Sequence, residues 1–238
     1  MGCIEANSNT VAQFPHISSN EFASGCEQLV ELFLTAPANN QSDWLSAEVI
    51  PQDGSVGLRI QKEIFISDSA AGSPDSSSDD QVDDIPEEEE DEGELRPTHC
   101  SSFVQYDILF SPTYSLPTLY FTLVSPNPTL CIPSLEVLYT HLIPPSSRSQ
   151  TLAVGVMGGV TITDHPVTNK PVYFIHPCQT AAVLKASVKR GMRVSPVDYL
   201  VLWVGAMGAC VGLHMPLGLA GQEPLGTRPL QAGYEEAT

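Results

Sequence analysis

The sequence predicts an α+β fold, one antiparallel sheet covered by helices, on three observations. An amphipathic helix opens the chain, runs of alternating apolar residues joined by short turns follow, and helical segments close it. With 238 residues the chain can form one sizeable domain, and 42% apolar residues including 8 Phe, 7 Tyr and 2 Trp can fill its core.

The first helix is well signed. Ser18 and Glu21 have the spacing of a capping box, and Ile17 and Phe22 that of a hydrophobic staple. Phe22, Cys26, Leu29, Val30, Phe33 and Leu34 fall on one helical face, and Pro37 stops the run, which predicts a helix over 18–36. "DWLSAEVI" is a weak strand. "VGLRIQKEIFI" is a strong one, with Val56, Leu58, Ile60, Ile64 and Ile66 on one side and Arg59, Gln61 and Glu63 on the other, turned by "PQDG".

Residues 67–97 are acidic, of low complexity and nearly free of large apolar side chains. Such a segment cannot bury enough surface to offset its ordering entropy, so a disordered insert is expected. Ser76 and Ser77 each precede an acid by three residues and could be phosphorylated. "SSFVQYDILFS" and "PTLYFTLVS" form a hairpin through "PTYSLP". "SLEVLYTHLI" places Leu135, Leu138, Tyr139 and Leu142 at helical spacing behind Ser134 as N-cap. "GVTITDH" and "NKPVYFIH" are two more strands, turned by "PVTN". "TAAVLKASVKR" and "SPVDYLVLWVGAMGACVG" are helices, the second with Ser195 and Pro196 at N-cap and N1. The organisation expected is a core made of 1–66 and 98–220, an insert at 67–97, and a flexible tail at 221–238.

Composition excludes several function classes. The net charge of −18 is concentrated: thirteen of the 28 acidic residues lie between Asp68 and Glu94, and the rest of the chain carries 15 against 10 basic residues. An acidic chain without a basic patch is not built for nucleic acid or anionic membrane surfaces. No charged start followed by an apolar run marks a secretory signal, and Ala6 spoils a myristoylation site at Gly2. The cysteines Cys3, Cys26, Cys100, Cys131, Cys178 and Cys210 have no framework spacing, which points to thiols in a reducing cytosol. "YLVLWVGAMGACVGLHMPLGLA" (199–220) is uncharged and long enough to span a bilayer. His214 and Pro216 interrupt its end, and a core helix is expected, with Trp203 buried and Gly205, Gly208 and Gly212 allowing close backbone approach.

There is no nucleophile elbow, phosphate-binding loop or His-Glu-x-x-His zinc motif. Cys210 with His214, His99 with Cys100, and His176 with Cys178 are close pairs, but no Cys-x-x-Cys supports a metal, and no cofactor is called for. What remains is "PVYFIHPCQT". Pro177 ends the strand, because it lacks a donor and disfavours helix at His176, so the thiol of Cys178 falls at a sheet edge. The next turn starts a helix, whose N–H groups and dipole favour negative charge there. That places Cys178 as a nucleophile, although a buried, inert cysteine is the commoner use of the residue.

His-Pro-Cys at a strand end resembles the hallmark of the E2-like conjugating enzymes of autophagy. "YDILFSPTYSLPTLYF", "TITDHPVTNKPVYFIHPCQT" and "VDYLVLWVGAMGACVGLHMPLGLA" are similar, in the same order, to blocks of the autophagy-related protein ten branch. The likeness covers 101–220 well and 1–66 by element order alone. It implies an E2-like, ubiquitin-conjugating-type fold. It further implies that Cys178 forms a thioester with a ubiquitin-like modifier, autophagy-related protein twelve. An E1-like enzyme, autophagy-related protein seven, would supply it, and a lysine of autophagy-related protein five would receive it. The setting implied is the cytoplasm, with transient visits to the pre-autophagosomal membrane and no stable insertion.

Ubiquitin-conjugating enzymes carry an asparagine where this chain has the cysteine itself, so another oxyanion donor is needed. His176, two residues before Cys178 in extended geometry, is expected to share a face with it, and Tyr120 could project from the neighbouring strand. Asp164 and His165 read as turn-capping residues, and Lys185 and Lys189 as solvated helix positions. The alternatives are the lipid-conjugating sister enzyme, which lacks the "PTLYF" and "VGLHMP" blocks, a non-enzymatic acidic scaffold, or a membrane-anchored protein.

Overall fold

The computed structural model describes residues 10–36, 43–52, 54–66, 102–148, 159–189 and 191–220. The expected acidic insert and tail, with Cys3 and Cys100, lie outside the described residues.

Helix α1 (Ser19–Thr35) starts where its capping box predicts. The Ser18 hydroxyl accepts the Glu21 N–H, and the Glu21 carboxylate accepts the Ser18 N–H at 2.8 Å. Phe22, Cys26 and Leu29 are buried. Leu34, expected on the same face, is instead 73% exposed. It lies twelve residues after Phe22, where the 3.6-residue period has carried the stripe away from the sheet.

Six strands follow: β1 (Trp44–Gln52), β2 (Ser55–Ile64), β3 (Ser102–Ser111), β4 (Leu116–Val124), β5 (Val160–Asp164) and β6 (Pro171–Ile175). They form one antiparallel sheet in the order β1-β2-β3-β4-β6-β5. Because side chains alternate across a strand, the register sorts the sheet into two faces. Leu58, Ile60, Tyr106, Ile108, Leu119, Phe121, Tyr173 and Ile175 belong to the buried core. Between them, Glu48, Arg59, Asp107, Tyr120 and Phe174 stand opposite one another in a cross-strand row on the other face.

After β4, Ser134 caps a single turn, α2 (Leu135–Val137), which widens into a π turn over Leu138–Leu142. The Ser134 hydroxyl accepts the Val137 N–H at 3.1 Å, as expected of an N-cap. Leu138 and Leu142 are buried, but Leu135, predicted on their face, is 60% exposed, because the wider π turn breaks the 3.6-residue rhythm.

Two further helices are α3 (Thr180–Ser187) and α4 (Pro196–Trp203). Helix α4 packs on α1 so closely that a Cβ on Gly25 would lie 2.6 Å from the Pro196 carbonyl oxygen. The uncharged segment 199–220 is not one long helix. It passes from α4 into a π turn (Val204–Gly208) and a 3₁₀ turn (Ala209–Val211), and reverses at Gly212 with φ of 78°. Side chains of the sheet satisfy the carbonyls released there. Tyr106 Oη donates to Val211 O (2.8 Å), Lys62 Nζ to Gly212 O (2.9 Å) and Trp44 Nε1 to His214 O (3.0 Å). Trp203 is buried in the core. Among the described residues no helix is long and apolar enough to cross a membrane. Gly208 meets the expectation of close approach, since a Cβ there would lie 2.6 Å from Leu213 O, whereas nothing lies within 4 Å of one on Gly205.

Candidate active site

Strand β6 runs antiparallel to β4, so its C-terminal end lies beside the N-terminal end of β4 and the turn that joins β3 to β4. His176 leaves the strand with extended backbone (φ −71°, ψ 130°), and Pro177 starts a 3₁₀ turn, Pro177–Gln179, that leads into α3. Proline suits that position because its fixed φ is helical and its missing donor would be unpaired there anyway. Pro177 is buried and Cys178, one residue on, is exposed.

Two expectations are thereby refined. Cys178 does sit at a strand-to-helix junction. The extended geometry expected to carry both side chains to one face stops at His176, because the helical turn begins at Pro177. His176 meets Cys178 through the backbone: its Nδ1 accepts the Cys178 N–H at 3.1 Å, which makes it the cap of the turn. A neutral ring that accepts at Nδ1 carries its proton on Nε2. Nε2 lies 3.3 Å from the hydroxyl of Tyr114, whose ring meets the imidazole edge-on at 5.6 Å. The ring therefore donates to the Tyr114 oxygen, which leaves the Tyr114 proton available to a third group.

Tyr114 belongs to the "PTYSLP" turn, and no local sequence pattern singles it out. The signal was present, since pairing β4 with β6 brings that turn to the His-Pro-Cys end, but it requires the strand order. Tyr120 lies on β4 opposite Phe174, half-buried. Its ring contacts Phe174 (5.0 Å) and His165 (5.3 Å), and Phe174 in turn meets His176 edge-on at 6.1 Å. Tyr120 thus adjoins the site through Phe174, and burial pushes its hydroxyl's pKa up. Lys185, in α3, is exposed as expected of a solvated position.

Behind Tyr120 lies a buried polar cluster. Asp107 accepts a bidentate pair of bonds from Arg59 (Nε–Oδ1 2.7 Å, Nη2–Oδ2 2.9 Å), and His165 Nε2 approaches Asp107 Oδ2 at 3.2 Å. Burial alone would raise the Asp107 carboxyl's pKa. The two bonds and the charge of Arg59, with the His165 ring close by, hold it below the usual carboxylate range. These residues floor a groove of about 480 Å³ whose rim includes Ile132 and Lys170.

The family model for the autophagocytosis-associated protein active-site domain matches residues 21–218. The chain belongs to that family. It is an E2-like conjugating enzyme of autophagy. It is 27% identical over 240 residues to the ubiquitin-like-conjugating enzyme ATG10 of Gibberella zeae, covering 90% of this chain and all of that one. It is 31% identical to the enzyme of the same name from Arabidopsis thaliana over 169 residues, 67% of this chain and 73% of that one. A crystal structure of the autophagic E2 Atg10 superposes with a TM-score of 0.40 at 14% identity, over 84% of this chain and 99% of that one. The antiparallel α+β sheet of this E2-like enzyme places His-Pro-Cys at the end of β6.

Proposed function

We propose that this E2-like enzyme carries a ubiquitin-like modifier as a thioester on Cys178 and passes it to a lysine. The modifier is autophagy-related protein twelve, the donor the E1-like autophagy-related protein seven, and the acceptor autophagy-related protein five. The observation that carries the reading is the exposure of Cys178 on the capped turn after β6. Among the other described cysteines, Cys26 is buried and Cys131 and Cys210 are partly so. Burial pushes the thiols of Cys26 and Cys210 up, which disfavours their thiolates.

In the first step the Cys178 thiolate attacks the carbonyl of the E1-bound thioester, and the E1 thiolate leaves. In the second the neutral amine of the acceptor lysine attacks the Cys178 thioester, Cys178 leaves as thiolate, and the nitrogen loses its proton as the isopeptide forms. The negative charge that develops on the carbonyl oxygen needs a donor. His176 fixes the turn and directs its Nε2 proton to Tyr114, so the free proton of the Tyr114 hydroxyl suits that role. Tyr120 supports the ring stack behind them.

The test is charging with the E1-like enzyme, modifier and ATP, read on gels with and without reductant. Wild type is expected to give an adduct lost on reduction, and Cys178→Ser one that survives, since an alkoxide leaves far less readily than a thiolate. Cys178→Ala should give none. A Cys178→Ala protein that charges normally would place the nucleophile elsewhere.

A further inference from the structure

The hairpin that delivers Cys178 is held to the body of the sheet over a short stretch. Strand β6 pairs with β4 at three positions, Leu119–Ile175, Tyr120–Phe174 and Phe121–Tyr173. The Tyr173 hydroxyl also bonds Ser134 (2.8 and 2.9 Å), but it stands at the middle of β6, so the far end of the hairpin depends on ties of its own.

His165 ties that end. Its backbone N–H donates to Lys170 O and its carbonyl accepts from Asn169 N–H, each at 2.8 Å, which closes the β5–β6 turn. Its ring Nδ1 accepts the N–H groups of Val167 and Thr168, both at 3.2 Å. A nitrogen that accepts two donors carries no proton, so the ring's proton sits on Nε2, toward Asp107. Nε2 lies 3.2 Å from Asp107 Oδ2, bent too far from the N–H line for a hydrogen bond, so the ring, 2% exposed, faces the carboxylate as a buried dipole. Asp107 belongs to β3 and is itself clamped by Arg59 of β2. The contact therefore skips over β4 and pins the hairpin tip to the centre of the sheet. From His165 a continuous path of rings, Tyr120, Phe174 and His176, leads back to the Cys178 turn. A buried histidine whose Nδ1 accepts two backbone donors, and whose Nε2 faces an already clamped carboxylate, is not a general base; it is placed to hold geometry.

We propose that His165 is a positioning residue for the transfer step. Through Asp107 and Tyr120 it holds the β5–β6 hairpin at the angle where His176 meets Tyr114 and the Cys178 thioester faces the incoming amine. This rests on the reading that Cys178 carries the modifier. Misplacement of reacting groups by about 1 Å costs on the order of 10²-fold in rate, so a small swing of the hairpin is enough to matter.

The experiment compares full-length wild type and His165→Asn. The amide oxygen of asparagine can still close the turn by accepting backbone N–H groups, but the shorter side chain loses the reach to Asp107. Each protein is charged, the thioester quantified, and its discharge followed against a titration of acceptor. Charging within about twofold of wild type is expected, with the saturated discharge rate per mole of thioester down about 10–100-fold and the half-saturating acceptor concentration unchanged. A purely structural histidine would lower the yield of charged protein and leave discharge per thioester at the wild-type rate, and that result overturns the proposal. If His165→Asn is recovered unfolded, Asp107→Asn removes the carboxylate that His165 Nε2 faces and keeps the shape of the side chain. A comparable slowing per thioester supports the proposal and a wild-type rate refutes it. Wild type that fails to charge at Cys178 would instead refute the reading beneath it.

Discussion

In the proposed transfer step, Tyr114 is the residue that would donate to the developing oxyanion. It lies in an exposed hairpin turn, and its ring meets the edge of His176. Its backbone carbonyl nonetheless lies 3.2 Å from His16 Nδ1, and its hydroxyl faces His176 Nε2. Because the Cys178 N–H occupies Nδ1 of His176, the neutral imidazole has one proton to give and gives it to Tyr114. Tyr114→Phe keeps the ring contact and deletes the donor. Discharge of a preformed Cys178 thioester is expected to slow by about 10²-fold, the usual loss for one oxyanion donor, with charging retained. A single-turnover chase measures it, and an unchanged chase would remove Tyr114 from the chemistry. Cys178 and His176 were legible in the sequence because Pro177 writes the strand end explicitly. Tyr114 was not, since its position depends on β4 pairing with β6, a contact across more than fifty residues that no local pattern encodes. The sequence pattern shows His165 as a turn cap, which it is, while its proposed second role depends on the fold of β3.

At the scale of elements, the strands and α1 follow closely from alternation and capping, and the least regular helices depart furthest. The apolar run 199–220 looks continuous in sequence, but its glycines let it fold back on itself. Gly208 lies so close to Leu213 O that no Cβ fits, and Gly212 takes a left-handed φ. The carbonyls freed by this break find Tyr106, Lys62 and Trp44, partners that sequence periodicity cannot show. Core membership sorts the neighbours in α4: Trp203 is buried in the core cluster, whereas Leu202 is partly exposed. Trp203→Ala should destabilise the domain by about 3–5 kcal/mol through cavity formation. Leu202→Ala should cost clearly less, because part of that side chain already meets water. Denaturant unfolding of the two variants decides it; equal losses would mean that Leu202 is packed as deeply as Trp203.

At the scale of the molecule, the sheet divides the work. One face holds α1 and α4 over a large apolar core, and the other carries the polar row from Glu48 through Arg59 and Asp107 to Tyr120 and Phe174. The rigid core fixes β3 and β4, and these in turn fix the hairpin that presents Cys178. A conjugating enzyme needs this arrangement, because two large partners must reach one thiol in succession without disturbing the fold. The claim that the thiol is Cys178 can be read directly. Wild-type enzyme is charged with modifier, E1-like enzyme and ATP, and the adduct is mapped by mass spectrometry of its proteolytic peptides without reductant. The modifier's C-terminal residue should be found on the peptide containing Cys178, removable by thiol and lost when the target protein is added. An adduct that maps to Cys131 or Cys210, or that resists reduction, would contradict the account.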